Sequence, residues 1–194
     1  MRKILLSMMV SLDGYIEDRQ QRLDWHLVDN ELHQHFNDEL KQMGAFLDGR
    51  RTYELMAGFW PTADADPKAE QPVAEFARIW REMPKIVYSR TLDRADWNTT
   101  VVREVVVEDV MALKAQEGGD LALGGADLAA TFVRHDLVDV YQVYVNPFVL
   151  GGGTRMFPQL DTRIGLELTD TRRFDNGVVL LRYERVGAAG AAGA

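Results

Sequence analysis

Apolar residues recur along the chain with two periods, and the switches between them divide it into alternating strands and helices. Residues 2–10 form a nearly continuous apolar run that predicts a strand buried on both faces. Asp13-Gly14 then marks a turn. Leu32, Phe36, Leu40 and Met43 share one face of a 3.6-residue period and predict an amphipathic helix, with Asp29 or Asn30 placed to cap it. Ala45–Asp48 reads as a short strand, after which Gly49-Arg50-Arg51-Thr52 opens a second, short helix. The polar stretch Pro61–Pro72 predicts an exposed loop, and Val73, Phe76, Ala77 and Trp80 mark a third helix. Strands follow at 85–89 and 99–102, then a helix over 108–117 that stops at Gly118-Gly119. Leu121–Leu123 is a buried strand, which Gly124-Gly125 turns into a helix over 126–135. From there only strands remain: 138–145, then 166–174 and 178–185 joined by Asp175-Asn176-Gly177, a strong hairpin signal.

This order predicts an α/β fold in three layers. A central, mostly parallel mixed sheet carries helices on both faces and ends in a C-terminal antiparallel hairpin. With 194 residues, no internal repeat and no linker, a single domain is expected over residues 1–186. Residues 187–194 contain only Gly and Ala, too short and glycine-interrupted for a stable helix, and are expected to form a disordered tail.

Composition narrows the function. The formal net charge of −8 opposes a general nucleic-acid or anionic-membrane surface, because phosphate backbones call for clustered Lys and Arg. No apolar run approaches the roughly 18 residues of a membrane span, and the N-terminal run lacks the cleavage site of a signal peptide. The chain has no cysteine, which rules out disulfides, thiolate catalysis and Cys-based metal sites and fits a cytoplasmic setting. His33 and His35 lie two apart on a helix and point away from each other, and His26 and His135 stand alone, so no metal site is expected. No nucleophile elbow is visible, which is consistent with chemistry carried by a cofactor.

Three places could hold such a cofactor. Gly124-Gly125-Ala126 joins a strand to a helix, where glycines admit a ligand to the backbone and free N–H groups attract phosphate; a plain tight turn is the alternative. Gly49-Arg50-Arg51-Thr52 also opens a helix after a strand and adds two guanidinium groups, which could equally be solvated. Ser89-Arg90 closes the strand at 85–89. All three lie at C-terminal strand ends, along one edge of a parallel sheet, where a single dinucleotide could reach them together. Arginines at its adenosine end would favour NADP over NAD. Gly151-Gly152-Gly153 is either a turn or a further point of close approach.

Taken in order, Met8–Ile16, Gly49–Glu54, Lys85–Ser89, Leu121–Ala126, and Asn146-Pro147 with Gly151–Pro158 resemble the dihydrofolate-reductase-like reductases. The likeness is greatest to the C-terminal domain of the riboflavin-biosynthesis deaminase-reductase in a standalone form, and it spans residues 2–185. It implies an NADPH-dependent oxidoreductase acting on a small heterocycle, comparable to 5-amino-6-(5-phosphoribosylamino)uracil reductase. Met9, Asp13, Tyr15 and Ile16 would lie on the nicotinamide side. Gly49, Arg50, Arg51 and Thr52 would hold pyrophosphate and 2′-phosphate, Ser89 and Arg90 the adenosine phosphate end, and Gly124, Gly125 and Ala126 the pyrophosphate. The resemblance also implies a homodimer. Dihydrofolate reductase proper and a nucleotide-binding protein without turnover are the alternatives. Deamination is excluded, since the zinc site of such deaminases needs cysteines. Asp29 is the candidate catalytic carboxylate, near where dihydrofolate reductases carry one on the first helix; capping of that helix is its other role.

Overall fold

The computed structural model describes residues 1–161 and 163–187. The expected tail lies outside the described residues except for Gly187. The described residues form ten strands and five α-helices, of which eight strands and all five helices lie where the apolar periods predict them. In chain order they are β1 (Ile4–Ser11), β2 (Tyr15–Glu17), α1 (Asn30–Leu40), β3 (Met43–Gly49), α2 (Arg50–Ala57), α3 (Gln71–Glu82), β4 (Lys85–Tyr88) and β5 (Thr99–Val102). The remainder are α4 (Val107–Ala115), β6 (Asp120–Leu123), α5 (Ala126–Arg134), β7 (Val140–Asn146), β8 (Thr154–Arg155), β9 (Leu166–Arg173) and β10 (Val179–Arg185).

Eight strands form one sheet in the order β5-β4-β3-β6-β1-β7-β10-β9. The first six run parallel, and the β9–β10 hairpin closes the sheet, β10 pairing antiparallel to both β7 and β9. The central strands β1, β3 and β6 are largely apolar on both sides because both faces of the sheet are covered there. Ile4, Leu6, Leu47, Leu121 and Leu123 pack with Val110 of α4 and with Leu128 and Phe132 of α5. Strand alternation sends Phe46, Val87 and Ala122 to the opposite face, against Tyr53 of α2 and Phe76 and Trp80 of α3. On that same side, next to the hairpin, Leu32 of α1 packs with Tyr144, Phe174 and Leu180.

Two local features differ from the sequence reading. The stretch expected as an exposed loop from Pro61 contains a 3-10 turn, Trp60–Ala65, held by Arg81, whose guanidinium donates to both Asp64 carboxylate oxygens at 2.8 and 2.7 Å and to the Pro61 carbonyl at 2.9 Å. A second, two-stranded sheet joins β2 to β8. Gly153 makes that pairing possible: its φ of +137° and its approach to the Glu17 carbonyl leave no room for a Cβ, so the triglycine stretch serves as a turn folded onto β2.

Candidate active site

In the structure the two strand-to-helix turns read from sequence sit against each other. Gly49 is both the last residue of β3 and the N-cap of α2, so the helix begins with no intervening loop. Gly125 caps α5 at φ +85°, and its amide-flanked turn closes on the start of α2. A Cβ built on Gly125 would run into Thr52 Oγ1 and stand 4.0 Å from the Gly49 nitrogen. Two helix N-termini, each with unpaired N–H groups and a positive end of the backbone dipole, therefore converge at Gly49–Thr52 and Gly124–Ala126. The two turns approach too closely for any side chain at Gly125, and paired helix starts of this kind are suited to a pyrophosphate.

Arg50 donates to Thr91 Oγ1 at 3.0 Å, which ties the start of α2 to the turn after β4 and brings it beside Ser89 and Arg90. Ser89 is buried, and its Oγ accepts from the Thr91 and Leu92 amides at 3.3 and 3.0 Å. That hydroxyl shapes the turn, while Arg90 is exposed. The side chains of Arg50 and Arg51 remain 51% and 65% exposed, and their carboxylate partners, Glu54 and Glu17, stand at 3.6 and 3.5 Å. Such loose surface pairs hold a guanidinium weakly and leave it free to meet a phosphate.

The residues expected on the nicotinamide side divide by role. Met9 of β1 lines a large cleft on the α1–α3 face of the sheet. Ile16 is buried in the main core instead. Asp13 accepts from the Ser11 hydroxyl at 2.7 Å and from the Leu150 and Gly151 amides at 3.1 and 2.8 Å. Those hydrogen bonds, the serine's foremost, hold its carboxyl down to about 2. Asp13 thus staples the 150–151 loop to the end of β1. Tyr15 sits under the Arg155 guanidinium, 5.2 Å from its ring centre, across the small sheet.

The cleft has a volume of about 670 Å³, within the range of small-molecule sites. Its floor is the sheet, through Met9, Phe46, Asp48 and Tyr144, and its walls are α1, α2 and α3 with Trp60. Asp48 is the residue the sequence reading missed. It is 5% exposed, near the C-terminal end of β3, and its carboxyl oxygen comes within 2.9 Å of where a Gly124 Cβ would lie. It therefore sits where the cleft meets the paired turns. Burial pushes its carboxyl up to about 7, only partly offset by the Lys85 ammonium. Lys85 is itself 1% exposed: its Nζ lies 4.2 Å above the Trp80 ring and donates to the Met83 and Trp97 carbonyls at 2.8 and 2.9 Å. Burial brings it down to about 8. The signal available in the sequence is strand alternation, which puts Asp48 on the same face as the apolar Phe46.

Asp29 falls elsewhere. It is exposed, is not among the cleft-lining residues, and its Oδ1 accepts from the Leu32 amide at 2.9 Å, the geometry of a helix cap. The carboxyl that reaches the cleft is that of Asp48, because the first helix starts beyond the cleft mouth whereas β3 runs beneath it. The histidines of α1 diverge as their spacing predicts: His33 meets Trp60 and Phe76 in the cleft wall, and His35 Nε2 stands 3.0 Å from the Tyr144 hydroxyl. Burial holds both imidazoles below their ordinary value.

Comparison with known proteins bears on this arrangement. The family model described as the RibD C-terminal domain matches residues 2–180. The chain is 34% identical over 183 residues to the uncharacterised protein YyaP of Bacillus subtilis, covering 94% of each. A candidate riboflavin biosynthesis protein from Shewanella sp. PV-4 shares the fold, with a TM-score of 0.75 at 22% identity over 96% of this chain and 100% of that one. So does a dihydrofolate reductase from Enterococcus faecalis, solved as a complex with NADP(H) and RAB-propyl, with a TM-score of 0.58 at 17% identity over 95% of this chain and 97% of that one.

Proposed function

The chain belongs to the RibD C-terminal domain family, and we propose that within it this protein is an NADPH-dependent reductase of a small heterocyclic compound. One observation carries the reading: two glycine-opened helix starts meet at one end of a parallel sheet, directly beside a cleft of about 670 Å³. In this reading the paired helix starts bind the anionic part of a dinucleotide and the cleft beside them shelters the substrate, the two functions a dinucleotide-dependent reductase needs. NADP(H) is bound by the Enterococcus faecalis dihydrofolate reductase of the same fold. In this reading Gly124, Gly125 and Ala126 hold the pyrophosphate with Gly49 and Thr52, Arg50 and Arg51 meet the 2′-phosphate, and Ser89 shapes the turn from which Arg90 reaches the adenosine end. Asp13 and Tyr15 fix the loop that covers the nicotinamide side, Ile16 anchors it in the core, and Met9 forms the floor. Bound NADPH supplies hydride for reduction of a C=N or C=O bond. The protein's own part is to hold the two partners in register and to exclude water from the cleft. We place the enzyme in the cytoplasm as a homodimer, consistent with its lack of cysteine and with the exposed apolar side chains of Leu12, Phe148 and Val149.

Calorimetric titration with NADPH, with NADH as control, tests the reading. Micromolar NADPH binding is expected, with NADH markedly weaker. The Arg50→Ala, Arg51→Ala double variant should lose about ten- to a hundredfold in NADPH affinity, the worth of one or two charge-assisted hydrogen bonds, and little in NADH affinity. Absence of binding by both nucleotides would overturn the assignment.

A further inference from the structure

We infer that the cleft takes an uncharged, largely apolar ring compound, with the Asp48 carboxyl as the hydrogen-bonding anchor on its floor, and not a phosphorylated sugar–pyrimidine. The inference rests on the reductase reading only in calling that compound a substrate.

The walls carry the first part of the argument. Phe36, Phe46, Met56, Trp60, Phe76 and Trp80 line the cavity, a predominantly aromatic wall with a thioether that suits planar apolar molecules. Charge carries the second. Among the described residues, those lining the cleft include no lysine and no arginine. Both lining histidines, His26 and His33, are held toward the neutral form by burial. The other ionisable lining groups are Glu39, Asp48 and Tyr144, none of which brings positive charge. Glu39 is already engaged by the Gln142 amide at 2.8 Å and by the Arg182 guanidinium at 3.2 Å. A phosphate monoester, carrying about −1.5 to −2 charges at pH 7, would give up its hydration here with no cation in return. Lys85, the cation behind the floor, spends its donors on two backbone carbonyls and its charge on the Trp80 ring.

Asp48 carries the third part. The neighbouring polar groups of the floor are already paired: Tyr144 with His35, and Gln142 with Glu39. No side chain or backbone group among the described residues hydrogen-bonds the Asp48 carboxyl, which borders the cavity, and the buried His26 Nε2 and Trp80 Nε1 of the lining are likewise without partners. A buried polar group without a partner is costly unless a ligand supplies one. Protonated, the carboxyl donates, so the matching ligand group is an acceptor: a ring nitrogen or a carbonyl oxygen. A C=N or C=O bond held this way has the acid placed at its heteroatom. Reduction would add hydride to the carbon and a proton from Asp48 to the heteroatom, with the carboxylate reprotonated from solvent and the nicotinamide dinucleotide oxidised in the same turnover.

Quenching of intrinsic tryptophan fluorescence reads occupancy without turnover, since Trp60 and Trp80 line the cleft. The probes are quinoxaline and 2-acetylnaphthalene, neutral planar rings bearing a C=N and a C=O, and uridine 5′-phosphate as the phosphorylated pyrimidine. At pH 6.5, saturable quenching by at least one neutral ring is expected, with uridine 5′-phosphate a hundredfold weaker or more. Asp48→Leu should weaken the neutral ring at least tenfold, while Asp48→Asn, which keeps a donor, should stay within about threefold; thermal melts confirm that both variants fold. Binding of uridine 5′-phosphate as tight as that of the rings, quenching by neither ring, or equal ring affinity in Asp48→Leu would overturn the inference. NADPH titration of the same samples separates the two claims: rings binding without NADPH would end the reductase reading and leave the cleft chemistry standing, and NADPH binding without the rings would do the reverse.

Discussion

Replacing Asp48 with asparagine should make the protein more stable, and increasingly so as the pH rises. Unfolded, the carboxyl titrates near its ordinary 3.8; folded, burial moves it to about 7. Below about pH 4 both states hold the proton. As the pH climbs, the unfolded chain releases it while the folded chain keeps it, so stability falls until the folded carboxyl also ionises near 7, and the loss is then complete. At about 1.36 kcal/mol per pH unit the full loss is about 4 kcal/mol. The isoelectric point near 5.0 sets the practical start of a titration at about pH 5.5, above which about 2 kcal/mol of that loss remains to be seen. The asparagine amide does not titrate, so the stability difference between Asp48→Asn and wild type should widen by about 2 kcal/mol between pH 5.5 and pH 8, or roughly 4–8 °C in melting temperature for a chain of this size. Other ionisable groups around Asp48 temper this only partly. Lys85 on β4 is the one cation that offsets its burial, and without an anion opposite it, Lys85 is held lower still, which trims the gain. His33 on α1 is held toward neutrality by burial, and Arg50 and Arg51 on α2 and Asp127 on α5 face solvent. Urea unfolding of both proteins at four pH values measures the difference directly. A difference that stays flat within about 0.5 kcal/mol would show that Asp48 is not held neutral by its surroundings.

Two further substitutions probe the frame around the site. Gly125→Ala puts a Cβ at φ +85° and into Thr52, so a cost of about 1–3 kcal/mol from the backbone alone is expected, together with parting of the two turns and loss of NADPH binding; melting and calorimetry on one sample check both, and retained affinity would sever the link between this contact and the cofactor. Tyr53→Phe removes a hydroxyl that accepts from the Asp96 amide at 2.9 Å and donates to its carbonyl at 3.1 Å, which should cost about 1–3 kcal/mol in urea unfolding and leave NADPH affinity unchanged; a variant as stable as wild type would show that these bonds are replaced by water.

The sequence was most legible where the backbone itself dictates structure. The apolar run of β1, the Leu32–Phe36–Leu40 face of α1 and the Asp175-Asn176-Gly177 turn each state a period or a turn type locally; β1 and the hairpin form within a residue or two of their predicted bounds, whereas α1 stops at Leu40 and Met43, expected on its apolar face, instead opens β3. The paired turns were legible for the same reason, since glycine between a strand and a helix advertises close approach whatever lies opposite. The β2–β8 pairing was not, because its strands are two and three residues long and depend on Gly153 folding against Glu17, a contact between opposite ends of the chain. Asp48 was harder still. At the end of Ala45–Asp48 it looks like a polar residue closing a strand, the ordinary start of a turn. Only once β3 is known to lie inside a sheet covered on both faces does the alternation with Phe46 commit its carboxyl to an apolar chamber. The character of that chamber is likewise a property of no single segment: the rings come from α1, α3, β3 and the 3-10 turn, and the missing cations are missing from all of them together. Preference for an uncharged ring over a phosphorylated one is therefore hard to read along the chain, because it consists of what several distant elements leave out.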